Sequence, residues 1–282
     1  MIDSSSINVK RLQEMARRMR LDALDMALAA GNTGSHLGGG LSCIEILAVL
    51  YGEVMYVSPE DYKNPKRDRF LPSKNHCVLA HFPALSEAGF LPKTELLEYK
   101  KDGGRMTGYP RDLKLGLEYS GGSLGMAISV GIGLALASKE KKYGNRIYVL
   151  LGDGELNEGS NWEGLMSAAH YKLSNLTVII DRNHLAYDGD TEKVMALGDL
   201  HGKMESFGCQ TLDCNGHNIN SLLKAFEQQG KEDKPTVIIA DTIKGKGVSF
   251  IENRPEWHHK SISQEQYEEA VRQVREEDLS KW

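Results

Sequence analysis

The 282-residue sequence has no paired-cysteine motif, no excess of basic residues and no apolar run long enough to cross a bilayer. Its four cysteines, Cys43, Cys77, Cys209 and Cys214, lack CxxC spacing, which argues against a zinc site or a disulfide framework. Scattered thiols of this kind fit a reducing compartment, so a cytoplasmic location is expected. Net charge is −5 and Lys and Arg are dispersed, which excludes the concentrated basic surface that nucleic-acid binding needs. The most membrane-like stretch, LGMAISVGIGLALA at 124–137, falls short of the about 20 residues a span requires, so no membrane is implied. Residues 1–31 contain neither the apolar core nor the small-residue cleavage site of a signal peptide.

What is present is an ordinary globular composition, 40% apolar and 26% charged, with ample material for a core. Leu12, Met15, Met19 and Ala23 recur at helical spacing and predict an amphipathic helix ending at Gly31. Ser42-x-x-Glu45 reads as a capping box opening a second helix over IEILAVLY. Residues 58–75 are polar and proline-bearing and read as a long surface connection, followed by a short strand at 77–80 and a helix at 92–101. A glycine-rich loop follows at 102–112. From residue 121 helices and strands alternate: a fully buried helix at 124–138, a strand at 146–151, a helix around 162–171 and a strand at 176–181. A helix at 221–229, a strand at 236–241 and a helix near 264–277 complete the pattern. Consecutive apolar strands alternating with helices predict an α/β fold, a doubly wound and mostly parallel sheet with helices on both faces. No repeat or linker divides it, so residues 1–282 read as a single domain.

The apolar strand VLL stops at Gly152-Asp153-Gly154, a carboxylate between two glycines. A tight turn would account for that composition. A second observation favours chemistry: Asn183 follows the next strand thirty residues later, and a βαβ crossover brings both side chains to one sheet edge. A carboxylate, an amide oxygen and nearby carbonyls are hard ligands that suit Mg²⁺. Gly152 and Gly154 would let backbone N–H groups approach a diphosphate. The glycines at 125, 131 and 133 do not follow a strand and are not read as a dinucleotide motif, and KGKG at 244–247 reads as a turn.

GDG with Asn about thirty residues on is similar to the signature of thiamine-diphosphate enzymes, and four segments sharpen this to the transketolase family. GSHLGG (34–39) resembles the family's SGHPG, and DRFLPSKNHC (68–77) resembles RFxLSxGH. LEYSGGSLGMAISVGIGLALA resembles VEVTTGPLGQGxSxAVGMALA, and GDGELNEGSNWE with IIDRNHLAYDGDT resembles GDGxxxEGxxxE…DDNxIxIDGxT. The resemblance runs from about residue 10 to about 260, in the family's order. It implies thiamine diphosphate with Mg²⁺ (or Ca²⁺ or Mn²⁺), the metal held by Asp153, Asn183 and the Leu185 carbonyl. It places His76, Gly152, Gly154, Asn183 and His258 at the diphosphate, and Gly122 and Leu124 against the cofactor rings. His36, His76 and His258 become the catalytic histidines, expected to titrate near neutrality and shuttle protons to a sugar. His259 is the alternative to His258. Glu158 and Glu163 fall on glutamates that link two active sites across an interface.

Two departures from the family matter. Its GHP motif reads Gly108-Tyr109-Pro110 here, so Tyr109 replaces a histidine at the donor sugar, beside His36. The sequence also ends without a pyrimidine-binding domain. The resemblance therefore implies one half of a split enzyme, partnered by a separate C-terminal subunit in a two-plus-two assembly, with sugar phosphates as substrates. The implied activity is transfer of a two-carbon ketol unit from a ketose to an aldose. The alternatives are a 1-deoxyxylulose-phosphate-synthase-like carboligation and a non-catalytic cofactor-binding scaffold.

Overall fold

The computed structural model describes residues 9–109 and 112–278. Residues 1–8, at the start of the segment that lacks signal-peptide features, and Pro110, in the Gly-Tyr-Pro stretch, lie outside the described residues. Five strands form one sheet: β1 (Arg69–Pro72), β2 (Ile147–Gly152), β3 (Leu176–Arg182), β4 (Gln210–Asn215) and β5 (Thr236–Asp241). Their order is β1-β2-β3-β5-β4 and every pairing is parallel. The helices are α1 (Val9–Ala29), α2 (Leu37–Leu41), α3 (Ile44–Val49), α4 (Val78–Glu87) and α5 (Ala127–Lys141). After them come α6 (Gly159–His170), α7 (Thr191–Val194), α8 (Leu200–Ser206), α9 (Ile219–Gln228) and α10 (Gln264–Glu276).

Side chains alternate across the sheet and feed two cores, because successive strand residues point to opposite faces. Phe70, Tyr148, Leu150, Ile179 and Ile238 meet α1–α4, α9 and α10 on one face. Leu71, Val149, Leu151, Val178 and Val237 meet α5, α6 and α8 on the other. The sheet is thus doubly wound, and its three central strands are buried and mostly apolar because both faces are covered.

The structure departs from the sequence pattern at several places. Ser42 caps nothing: α3 starts at Ile44 with no side-chain cap, and the Ser42 hydroxyl donates to the Asp181 carboxylate at 2.5 Å. Glu45 is buried and paired with Arg20 and His217 instead. The polar connection at 58–75 contains β1, and the short apolar run at 77–80 opens α4 rather than forming a strand. Residues 93–98 form a 3₁₀ turn, not an α-helix. The helix expected to be fully buried begins only at Ala127 and exposes Val130 (43%), with Met126 (49%) just before it. β4 is half-exposed along most of its length, and the sequence pattern gives no strand there.

Candidate active site

The carboxyl ends of four neighbouring strands converge on one cavity of about 390 Å³. Lys74 and His76 follow β1, Asp153 and Gly154 follow β2, Asn183 and Leu185 follow β3, and Lys244 follows β5. Registry sets their heights. Gly152 pairs with Asp181, the Asp153 N–H donates to the Asp181 carbonyl at 3.3 Å, and the Thr242 N–H donates to the Arg182 carbonyl at 3.0 Å. His36 precedes α2 and His258 follows the turn Pro255–Trp257, reaching the same cavity from the amino-terminal and carboxy-terminal parts of the chain.

Tyr109, before the 3₁₀ turn Leu113–Leu115, and Gly122 and Leu124, in the loop that leads into α5, close the cavity. Glu155 ties that loop to β2: its carboxylate accepts from the Gly125 N–H at 2.7 Å, the Gly152 N–H at 3.0 Å and the Ser73 hydroxyl. Gly125 needs to be glycine, since its φ is +79° and a Cβ would lie 2.7 Å from that of Glu158.

Three imidazoles crowd one wall. Ring centroids are 5.3 Å apart for His36 and His76, 5.5 Å for His36 and His258, and 5.2 Å for His76 and His258. His259 stacks edge-on against His36 at 4.5 Å. Burial, then neighbouring positive groups, pushes His36 down to about 4 and His258 to about 3, with His76 well below its ordinary value. The expectation that these histidines titrate near neutrality is therefore wrong for the cofactor-free chain. They are neutral at physiological pH, able to donate and accept one hydrogen bond each.

Asp153 is 1% exposed. One carboxylate oxygen accepts from the Gly154 N–H at 2.8 Å and the other from the His184 N–H at 2.6 Å, with Arg182 at 3.4 Å. Burial and then the Asp181 charge raise its pKa, so the carboxylate lacks a full counter-charge. The Asn183 side-chain oxygen accepts from the Leu185 N–H at 3.2 Å, and the Leu185 carbonyl accepts from Lys244 at 2.9 Å. Among the described residues no three His, Cys, Asp or Glu side chains are grouped to hold a metal ion. The hard oxygen donors this edge offers are one carboxylate, one amide and one carbonyl.

All the cavity residues expected from sequence are here: His36, His76, Tyr109, Gly122, Leu124, Gly152, Asp153, Gly154, Asn183, Leu185 and His258 line it together. Glu158 and Glu163 do not; both are exposed, at the cap and on the first turn of α6. Sequence reasoning missed Lys74, Glu155 and Lys244. Glu155 follows GDG directly, and Lys244 follows the strand TVIIAD at the same edge, so position relative to the strands was the available signal.

The family profile described as transketolase, thiamine diphosphate binding domain, matches residues 11–277. The chain is 39% identical to an apulose-4-phosphate transketolase subunit from Actinobacillus succinogenes, over 96% of this chain and 99% of that one. It is 33% identical to a 6-deoxy-6-sulfo-D-fructose transketolase subunit from a Clostridium species, over 98% and 99% of the two chains. The crystal structure of Campylobacter jejuni transketolase superimposes with a TM-score of 0.86 at 29% identity, over 95% of this chain and 43% of that one. Matches of this extent, on a sheet edge with this geometry, make the chain a member of the transketolase family.

Proposed function

We propose that this chain is the diphosphate-binding subunit of a two-chain transketolase that moves a two-carbon ketol unit from a ketose phosphate to an aldose. The observation that carries the reading is the convergence of Asp153, Asn183, Leu185 and three histidines on one cavity at the carboxyl edge of the sheet. The donors fit a divalent cation, Mg²⁺ or its Ca²⁺ or Mn²⁺ substitutes. Asp153 is a buried carboxylate short of positive charge, and the Asn183 amide and Leu185 carbonyl are hard oxygen donors at the same edge. Gly154 lies close against Ala186, where a Cβ would stand 3.2 Å from the Ala186 methyl.

Bound thiamine diphosphate supplies an acidic thiazolium carbon that carries the two-carbon unit. Asp153, Asn183 and the Leu185 carbonyl hold the cation, while Gly152, Gly154, His76 and His258 face the diphosphate. Gly122 and Leu124 line the rings, Leu124 on the loop that Glu155 anchors. His36, His76 and His258, kept neutral by burial, give and take protons at the sugar hydroxyl and carbonyl oxygens. Tyr109, whose ring lies 3.6 Å from where a Gly122 Cβ would be, meets the donor sugar with a phenol instead of an imidazole.

The partner reading rests on names and surface. Two relatives of this length are called subunits, and Met126, Val130 and Met166 form exposed apolar surface on and beside α5 and α6. Glu158 and Glu163 are exposed on α6 and cross to a second copy in an α2β2 assembly. Four free, buried cysteines agree with a reducing cytoplasm. Among the described residues no helix is long and apolar enough to cross a membrane.

The test is reconstitution. The purified chain with cofactor and Mg²⁺ is expected to be inactive, and titrating in a pyrimidine-binding subunit should restore ketol transfer, saturating at equal numbers of chains. Turnover by the lone chain would overturn the split-enzyme reading. Preference for pyruvate over hydroxypyruvate or a ketose phosphate would point to the deoxyxylulose-type reaction instead.

A further inference from the structure

The part of the cavity wall that carries Gly122 and Leu124 lies outside the helices and strands. Among the described residues, no close backbone–backbone hydrogen bond reaches residues 119–124. Side chains fasten the segment at its two ends instead. At one end Glu118, its side chain buried, pairs with Arg67 and with Arg69, the latter at 2.9 Å. At the other end is Gly125, whose N–H donates to Glu155 at 2.7 Å and whose carbonyl accepts from the Ser160 hydroxyl at 2.9 Å. Between the ends the Ser120 hydroxyl donates to the Tyr109 carbonyl, and the Tyr109 ring stands beside Gly122.

Glu155 suits its end of this span by chemistry as well as by place. It is 3% exposed and directly follows Gly152-Asp153-Gly154. One carboxylate oxygen accepts from the Gly125 N–H and the Ser73 hydroxyl, and the other accepts from the Gly152 N–H at 3.0 Å. A peptide N–H can only donate, so the head group must offer an acceptor on both sides. Glutamine has the same size, yet its amide nitrogen would turn N–H bonds toward one of these donors. Ser160, in the first turn of α6, supplies the complementary donor to the Gly125 carbonyl. Both clamp residues therefore come from the connection between β2 and α6, the same one that presents Asp153.

We propose that Glu155 and Ser160 are positioning residues that clamp Gly125 and so set where Gly122 and Leu124 stand in the cavity. The consequence rests on the cofactor-site reading above: the clamp serves the ring half of thiamine diphosphate, while the strand ends hold the diphosphate half. A segment with no close backbone bonds of its own cannot keep this position once the clamp is lost. The sheet does not depend on it, so the wall loosens without the fold failing.

Glu155→Gln and Ser160→Ala test this in the full, cofactor-free chain. Hydrogen exchange at the Gly125 amide, followed by NMR, should speed up about tenfold in Glu155→Gln and by less in Ser160→Ala. The Leu124 methyl signals should shift in both variants, while amides of β2 and β3 keep their wild-type exchange rates. Calorimetry then compares two ligands in the presence of Mg²⁺: thiamine diphosphate, and inorganic pyrophosphate, which has no rings. Ser160→Ala leaves the Gly152 N–H bonded, so it should lose about fivefold in thiamine diphosphate affinity with pyrophosphate unchanged. Gly125 exchange and Leu124 signals unmoved in both variants would overturn the clamp. Unchanged thiamine diphosphate affinity in Ser160→Ala, or an equal loss for the two ligands, would overturn its ring-side role. Should Glu155→Gln fail to fold, Ser160→Ala decides alone. If neither ligand binds the wild-type chain, the cofactor-site reading falls, and Gly125 exchange with the Leu124 signals still decides the clamp.

Discussion

Two buried carboxylates stand one strand apart in this protein, and their surroundings are opposite. Asp181, inside β3, is fully buried and saturated: Lys74, the Ser42 hydroxyl and the Thr242 hydroxyl all donate to it. Although burial is the largest influence on it, Lys74 and these hydrogen bonds outweigh that and hold its pKa below the ordinary carboxylate value. Asp153, just past β2, has two backbone N–H donors and a marginal Arg182, and its pKa is raised. The closed centre is finished by the chain itself. The open one is left short of positive charge, which is what the proposed cation would supply.

Breaking the closed centre should have the largest effect. Asp181→Asn leaves the buried Lys74 ammonium without a counter-charge, and such losses cost about 3–5 kcal/mol. Urea unfolding should show that deficit, and a variant within about 1 kcal/mol of wild type would mean the pair is not structural. Asp153→Asn should do the reverse. It removes the uncompensated charge but keeps an oxygen for only one of the Gly154 and His184 N–H groups, so the melting temperature should change little, while Mg²⁺-dependent cofactor affinity falls on the order of 100-fold. Calorimetry with unchanged affinity would place the cation elsewhere.

The smallest effect, and the sharpest contrast, lies in pH. His36 and His258 have folded values near 4 and 3 against an ordinary 6.5, so the unfolded chain binds protons the fold refuses. Stability from keeping them neutral is complete above about 6.5 and is lost as pH falls toward those values. Asp181, held low, adds loss in the same direction at still lower pH, and Asp153, held high, opposes it. The cofactor-free chain should therefore melt at a lower temperature at pH 5 than at pH 7. In a His36→Asn/His258→Asn variant that decline should flatten. A wild-type profile without the decline would mean these imidazoles titrate as they do in water.

The same contrast between centre and edge governs what sequence could reveal. The three inner strands, β2, β3 and β5, are continuous apolar runs because both faces are covered, and their bounds are legible to within about a residue. β1 and β4 are the sheet's two edges. β1 is four residues ending in Pro72, and β4 is polar and half-exposed, so neither carries an apolar run. Residues at the ends of inner strands, Asp153 and Asn183, were legible for the same reason. Lys244 follows β5 at the same edge, but its KGKG context reads as a turn, so the sequence did not single it out. Neutral histidines were also illegible, since burial and neighbouring lysines exist only once the chain is folded.

The chain's first and last described helices lie side by side. Tyr267 on α10 donates to Asp25 on α1 at 2.6 Å across 242 residues of sequence, and every strand pairing is parallel and equally indirect. Contacts of such long range make for slow folding, because loop entropy is lost before they form. Until α10 arrives, the side of α1 it covers stays wet. On the ribosome this fold cannot finish until almost the whole chain has emerged.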